Sequence, residues 1–266
     1  MTSKPPAVAR PASTVMMIRD GDDGLEVFMV KRHHAIDFAS GALVFPGGKV
    51  NDHDHKPALR DHADDAAEMS DYALALRIAA IREAFEETGV LLAHRRNSDE
   101  ALVGSALADL LARYRKPLED EDVGMVDLAV AEDVVFSCDQ MVPFAHWITP
   151  EMMPKRFDTY FYLCPASEDV AREAAHDGSE AVDSVWIRPQ DALDAHDQGT
   201  VTLVFATQMN LKKLARSATI AAALKAARAD TIVTVMPAVT KTETGRVLRI
   251  PAEAGYGVSE VEIPST

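Results

Sequence analysis

Arg82-Glu83-Ala84-Phe85-Glu86-Glu87-Thr88-Gly89-Val90 closes a segment, starting near Tyr72, in which Ile78, Ile81 and Phe85 recur at helical spacing. At about 100° per residue these three form one stripe, and Glu83, Glu86 and Glu87 share the opposite face. Carboxylates at i,i+3 and i,i+4 steps repel one another and destabilise an isolated helix. A hard cation removes that conflict, because Mg²⁺ takes oxygen ligands and is held by carboxylates beside phosphates. Arg82 stands four residues before Glu86 and can pair with it, steadying that side chain. Thr88-Gly89 supplies the helix stop.

Upstream, a short strand over 42–45 runs into Pro46-Gly47-Gly48, where paired glycines allow close approach of a ligand to the backbone. Thr14 to Ile18 and Leu25 to Lys31 read as a hairpin around Asp20-Gly21-Asp22-Asp23-Gly24, and residues 1–12 with their three prolines as a disordered lead. Residues 51–71 are acidic and polar and read as an inserted loop with some helix. Downstream, residues 98–116 suggest an amphipathic helix, followed by a solvated Glu119-Asp120-Glu121-Asp122 run. Strands are expected at 145–148, 157–163 and 182–187, then a short helix from Pro189 through Leu193. A long alanine-rich helix is expected over roughly 201–228, and residues 231–236 and 246–250 read as a terminal hairpin.

With 27 Lys and Arg against 42 Asp and Glu, the 266 residues carry a net charge of −15, which argues against nucleic acid or anionic membrane as partner. A phosphate-bearing small molecule would need locally concentrated Arg, Lys or metal to overcome that field. Cys138 and Cys164 lack any metal or disulfide spacing and read as buried thiols. No stretch is apolar for long enough to span a bilayer, and a cytoplasmic location is the expectation.

The helix end resembles the second half of the Nudix box, Gly-x5-Glu-x7-Arg-Glu-U-x-Glu-Glu-x-Gly-U with U apolar, except that Ala84 fills the first apolar position. Gly48 to Arg82 spans 34 positions where the box spans 14, an insertion of 20 residues. Counting forward from Gly48 puts Asp54 in the place of the first box glutamate, and counting back from Arg82 puts Leu74 there; Glu68 and Asp71 are further candidates. An insertion at this place resembles the branch containing acyl-coenzyme A diphosphatases. So do Phe28 to Arg32 before Gly41-Ala42-Leu43-Val44-Phe45-Pro46-Gly47-Gly48, Trp147 to Pro150, and Pro154 to Phe161.

The resemblance implies a Nudix α/β/α sandwich with a mixed sheet over residues 13–200, helical insertions at about 51–75 and 98–130, and an added C-terminal helix and hairpin over 201–266 that cap the site or offer a homodimer surface. It implies a Nudix diphosphatase using Mg²⁺ or Mn²⁺ held by Glu83, Glu86, Glu87 and the Gly48 carbonyl. Either Glu83 or Glu180 would be the base, and Arg82 would orient its neighbours. Arg32, Arg156, Gly47 and Phe157 are the candidate substrate contacts, the arginines as phosphate clamps. Phe157, Tyr160 and Phe161 could stack on a base. His33, His34, His53 and His55 offer a second, transition-metal reading. Coenzyme A and its acyl esters lead as substrates; NADH, ADP-ribose, nucleotide sugars and a non-catalytic binding or regulatory module are the alternatives.

Overall fold

Val15, Met16, Met17 and Ile18 are all 0 % exposed in the computed structural model, which describes residues 5–32, 41–174 and 181–264. Successive strand residues point to opposite faces, so a strand buried at four consecutive positions must be covered on both sides. Val15 and Met17 join one hydrophobic cluster with Phe28, Ile78, Phe85 and Phe136. Met16 and Ile18 join a second with Met29, Leu163, Met209 and Leu214. A sheet layered between helices, the expected α/β architecture, follows from that double burial.

The chain opens with β1 (Arg10–Gly21) and β2 (Gly24–Arg32), then the short strands β3 (Leu43–Val44) and β4 (Gly47–Lys49). Three 3₁₀ turns, Asp52–His55, Pro57–His62 and Ala66–Glu68, fill the acidic insertion and lead into α1 (Asp71–Thr88). Next come β5 (Ala93–Arg95), α2 (Gly104–Glu119), α3 (Met125–Glu132), β6 (Val134–Phe136), β7 (Val142–Ile148) and β8 (Phe157–Pro165). They are followed by α4 (Glu168–Glu173), β9 (Ala181–Ile187) and α5 (Pro189–Asp197). The remainder is α6 (Phe205–Leu214), α7 (Ile220–Ala229), β10 (Thr234–Val235), β11 (Ala238–Lys241), β12 (Gly245–Arg249) and β13 (Glu260–Pro264).

The main sheet runs β10-β7-β8-β1-β2-β3, with β4 also on β1 and β9 on β2. It is mixed: β1 with β8 and β7 with β10 are parallel, the other neighbours antiparallel. β5 and β6 pair separately, and β11-β12-β13 form their own antiparallel sheet. Among the described residues no helix is long and apolar enough to cross a membrane. Cys138 and Cys164 are free and buried, and burial pushes both thiols up to about 12.

Three expectations need correction. The lead does not extend to residue 12, because β1 already pairs from Arg10 with Phe157 of β8. The helix expected over 201–228 is two helices, α6 and α7. Thr219 caps the second with its hydroxyl, Asp20 accepts the Ile220 N–H at 2.8 Å, and the Ala218 carbonyl takes the Leu25 N–H at 3.1 Å. Contacts to the β1–β2 hairpin thus break the helix even though Arg216 and Ala218 are good helix formers. Nor do residues 231–236 pair with 246–250: β10 joins β7 in the main sheet, and β12 pairs instead with β11 and β13.

The C-terminal elements meet the sheet through a buried polar relay: Trp147 Nε1 donates to the Tyr256 hydroxyl at 2.8 Å, which donates to Asn210 Oδ1 at 2.9 Å. Tyr256→Phe strands a buried donor and a buried acceptor at once, and is expected to cost about 1–3 kcal/mol. A denaturant melt with wild-type stability would show that the relay contributes nothing.

Candidate active site

Ser70 starts α1 by accepting the Ala73 N–H, and Gly89 ends it by donating its own N–H to Phe85 O at 3.1 Å. The helix is buried along most of its length, Glu86 and Glu87 included, each 8 % exposed. These carboxylates are therefore held in a cleft and are not a solvated helix face. Gly47, Gly48, Arg82, Glu83, Glu86 and Glu87 line one cavity of ≈ 1910 Å³.

Arg82 organises its floor. Nε and Nη2 grip Asp54 at 3.0 and 3.1 Å, Nη2 also donates to the Lys49 carbonyl at 2.7 Å, and Nη1 reaches Glu83 at 3.0 Å and Glu86 at 3.1 Å. Asp54 is 1 % exposed and also accepts the Asn51 N–H at 2.9 Å. One guanidinium thus faces three carboxylates. Burial disfavours its charge, but Glu83, Asp54 and Glu86 outweigh that and hold it firmly protonated. Glu86 cannot be fully neutralised by a shared cation. Its burial, against the pull of Arg82 and with the push of Glu83 and Asp54, raises its carboxyl to about 8.

The glycine turn locks onto this helix. Gly47 donates its N–H to Glu87 Oε2 at 2.9 Å, and β4 pairs Gly47 with Thr14 and Gly48 with Ser13 of β1. At Gly47, φ is +155° and a Cβ would stand 2.5 Å from the Ser13 carbonyl oxygen. At Gly48 a Cβ would stand 2.5 Å from the Glu83 carboxyl group. Gly48→Ala should therefore push Glu83 out of place while sparing the backbone, with a rate loss of roughly 10²-fold, the cost of a small misplacement at a reacting centre. Steady-state kinetics check this, and unchanged kcat/KM would mean that the position of Glu83 is immaterial.

Among the described residues no three His, Cys, Asp or Glu side chains form a finished metal cage. The donor set nevertheless suits Mg²⁺ or Mn²⁺, which bind through one or two carboxylates plus waters and substrate phosphates. Glu86, buried and short of positive charge, is the group such an ion would relieve. Glu83, Glu87 and the backbone at Gly48 border the same space.

Other candidates fare differently. Phe157 and Phe161 line the cleft. Tyr160 does not, because it points to the other face of β8, stacked on His146 at 3.9 Å. Arg156 is no phosphate clamp: Nε donates to Thr149 O at 2.9 Å and Nη1 to Ala7 O at 2.7 Å, so it ties down backbone. Arg32 ends β2, but its side chain, like Glu180, His33 and His34, lies outside the described residues. Among the described residues His53 and His55 join no metal-binding group. Sequence reasoning passed over Lys241 and Arg246, which border the cleft from β11 and β12. The alternation Val239-x-Lys241 and Arg246-x-Leu248 was the available signal.

Residues 57–214, more than half of the chain, match the family model described as the NUDT19 Nudix domain. The chain therefore belongs to the Nudix hydrolase family. Within it the similarity is to the NUDT19-like branch. The acyl-coenzyme A diphosphatase NUDT19 of Xenopus laevis is 26% identical over 64% of this chain and 54% of its own length. The Homo sapiens acyl-coenzyme A diphosphatase NUDT19 is 26% identical over 73% of this chain and 59% of its own length. The chain thus spans little more than half the length of these curated relatives. The crystal structure of a NUDIX hydrolase from Alicyclobacillus acidocaldarius superposes with a TM-score of 0.64 at 25% identity, covering 82% of this chain and 96% of that one.

Proposed function

We propose that this chain hydrolyses the diphosphate linkage of coenzyme A or acyl-coenzyme A, giving 3′,5′-ADP and the (acyl-)4′-phosphopantetheine. The observation that carries the reading is the crowding of Asp54, Glu83 and Glu86 around one guanidinium, with Glu87 held by the Gly47 N–H, in a cleft bordered by Gly47 and Gly48. The names of the NUDT19 relatives supply the substrate. In the reaction a water oxygen bonds to one phosphorus, the bridging P–O bond breaks, and the second phosphate leaves with the bridging oxygen. Mg²⁺ or Mn²⁺, when bound, polarises the diphosphate and lowers the pKa of the attacking water.

The chain's own groups divide the remaining work. Glu86 and Glu87 would hold the cation, and Arg82 fixes Glu86. Glu83 is a candidate to take the proton from water, with Glu180 the other. Gly48, lacking a side chain, leaves Glu83 its place. Phe157 and Phe161 offer flat apolar surface for a base.

The test is incubation with coenzyme A, acetyl-coenzyme A, NADH and ADP-ribose, with and without Mg²⁺ or Mn²⁺, products being identified by mass. Metal-dependent release of 3′,5′-ADP and phosphopantetheine species supports the reading. Faster cleavage of NADH or ADP-ribose overturns the substrate and keeps the chemistry. No cleavage of any of them leaves a binding or regulatory module.

A further inference from the structure

The sheet of β11, β12 and β13 turns one face to the cleft. Its register places Val239, Leu248 and Val261 in one cross-strand row and Lys241, Arg246 and Ile263 in the next, and all six line the cavity that holds the box carboxylates. Lys241 and Arg246 are direct cross-strand partners, and facing side chains of an antiparallel pair start about 5 Å apart at their Cβ atoms. Like charges so placed repel. Among the described residues neither side chain has a hydrogen-bond or ion-pair partner: Arg249 takes Glu260, Glu243 in the intervening turn pairs with neither, and Glu262, in register with Val247 and bordering the same cavity, pairs with neither. In a chain of net charge −15, two adjacent cations that pair with no described carboxylate, against the single charge of Glu262 beside them, form a local site for an anion.

The diphosphate to be cut must meet the carboxylates of α1, a different element from the β11–β12 pair that borders the same cavity. A phosphomonoester carries about −1.5 to −2 charges at neutral pH, which two cations match. We infer that Lys241 and Arg246 form the subsite for a second phosphate of the substrate, a phosphomonoester outside the diphosphate that is cleaved. The inference rests on the proposed function for its substrate: coenzyme A carries such a group on its nucleoside end and dephospho-coenzyme A lacks it.

The test compares wild type with K241A/R246A and with each single variant. Both residues are exposed, so the fold should tolerate their loss. Calorimetry with 3′,5′-ADP and 5′-AMP needs no turnover. Wild type should bind 3′,5′-ADP about tenfold or more tighter, as expected for charge-assisted hydrogen bonds, and the double variant should lose that preference. In kinetics the double variant should raise KM for coenzyme A by about tenfold with kcat nearly constant, leaving dephospho-coenzyme A unaffected. A preference that survives in the double variant, or is absent from wild type, overturns the inference. So does equal damage to both substrates, which would place the pair on the diphosphate itself. If neither coenzyme A compound is hydrolysed, the functional reading falls and the binding comparison still decides this one.

Discussion

Glu86→Gln and Glu87→Gln are each expected to lower kcat/KM on the cleavable diphosphate by roughly 10³-fold, the several kcal/mol that a bound divalent ion supplies to a transition state. Neither should cost the fold much. Glu87 accepts the Gly47 N–H through Oε2, and the glutamine carbonyl oxygen can accept the same hydrogen bond, so β4 stays docked on α1 while the charge goes. Glu86 is buried beside Glu83 and Asp54 with only a share of one guanidinium, and its carboxyl is already raised to about 8. Neutralising it removes a charge the fold holds at a cost, so the melting temperature should be unchanged or higher. Loss of rate with retained stability, together with weaker Mn²⁺ binding by calorimetry, is the expected pair of results. Near-wild-type turnover in either variant would remove the carboxylates from the reaction. Equal loss of rate and fold would give them a structural role.

What the sequence made legible is what is encoded locally. The end of α1 follows from the period of Ile78, Ile81 and Phe85 and the Thr88-Gly89 stop, and the strand core from the apolar run in β1. The carboxylate face of α1 and its Arg82–Glu86 pair are i,i+4 facts that any helix enforces. Partners chosen across the fold were not legible. A two-residue strand such as β10 carries no record of whether it will bond to β7 or to a neighbouring hairpin. The break between α6 and α7 depends on Asp20, 200 residues away from Ile220. Arg156 shows the same limit: its charge suggests a phosphate, but the carbonyls of Ala7 and Thr149 reach it from separate segments. Lys241 and Arg246 gain meaning only when the β11–β12 register sets them side by side at a cleft built mostly by other segments.

Asp54→Ala is expected to destabilise the protein by about 3–5 kcal/mol, the range for breaking a buried ion pair by removing one partner. Two counts along the chain competed for the place of the first box glutamate, and the structure puts Asp54, not Leu74, against Arg82. The extra residues therefore enter after Asp54, where the 3₁₀ turns Pro57–His62 and Ala66–Glu68 precede α1. Asp54 stands with 0 % of its side chain exposed and accepts three hydrogen bonds, two from Arg82 and one from the Asn51 backbone. Without it, Nε of Arg82 loses its acceptor and the guanidinium keeps only Lys49 O, Glu83 and Glu86. A fork held at one end can swing, so the positions of Glu83 and Glu86 loosen and rate falls with stability. Asp54→Glu separates charge from fit. It restores the carboxylate but adds a methylene to a closed site, which costs about 1–3 kcal/mol as overpacking. The expected order of melting temperature is wild type, then Asp54→Glu, then Asp54→Ala, with activity in the same order. An Asp54→Ala protein that melts with wild type would show that the carboxylates of α1 alone hold Arg82 in place, and that the insertion anchors nothing at the site.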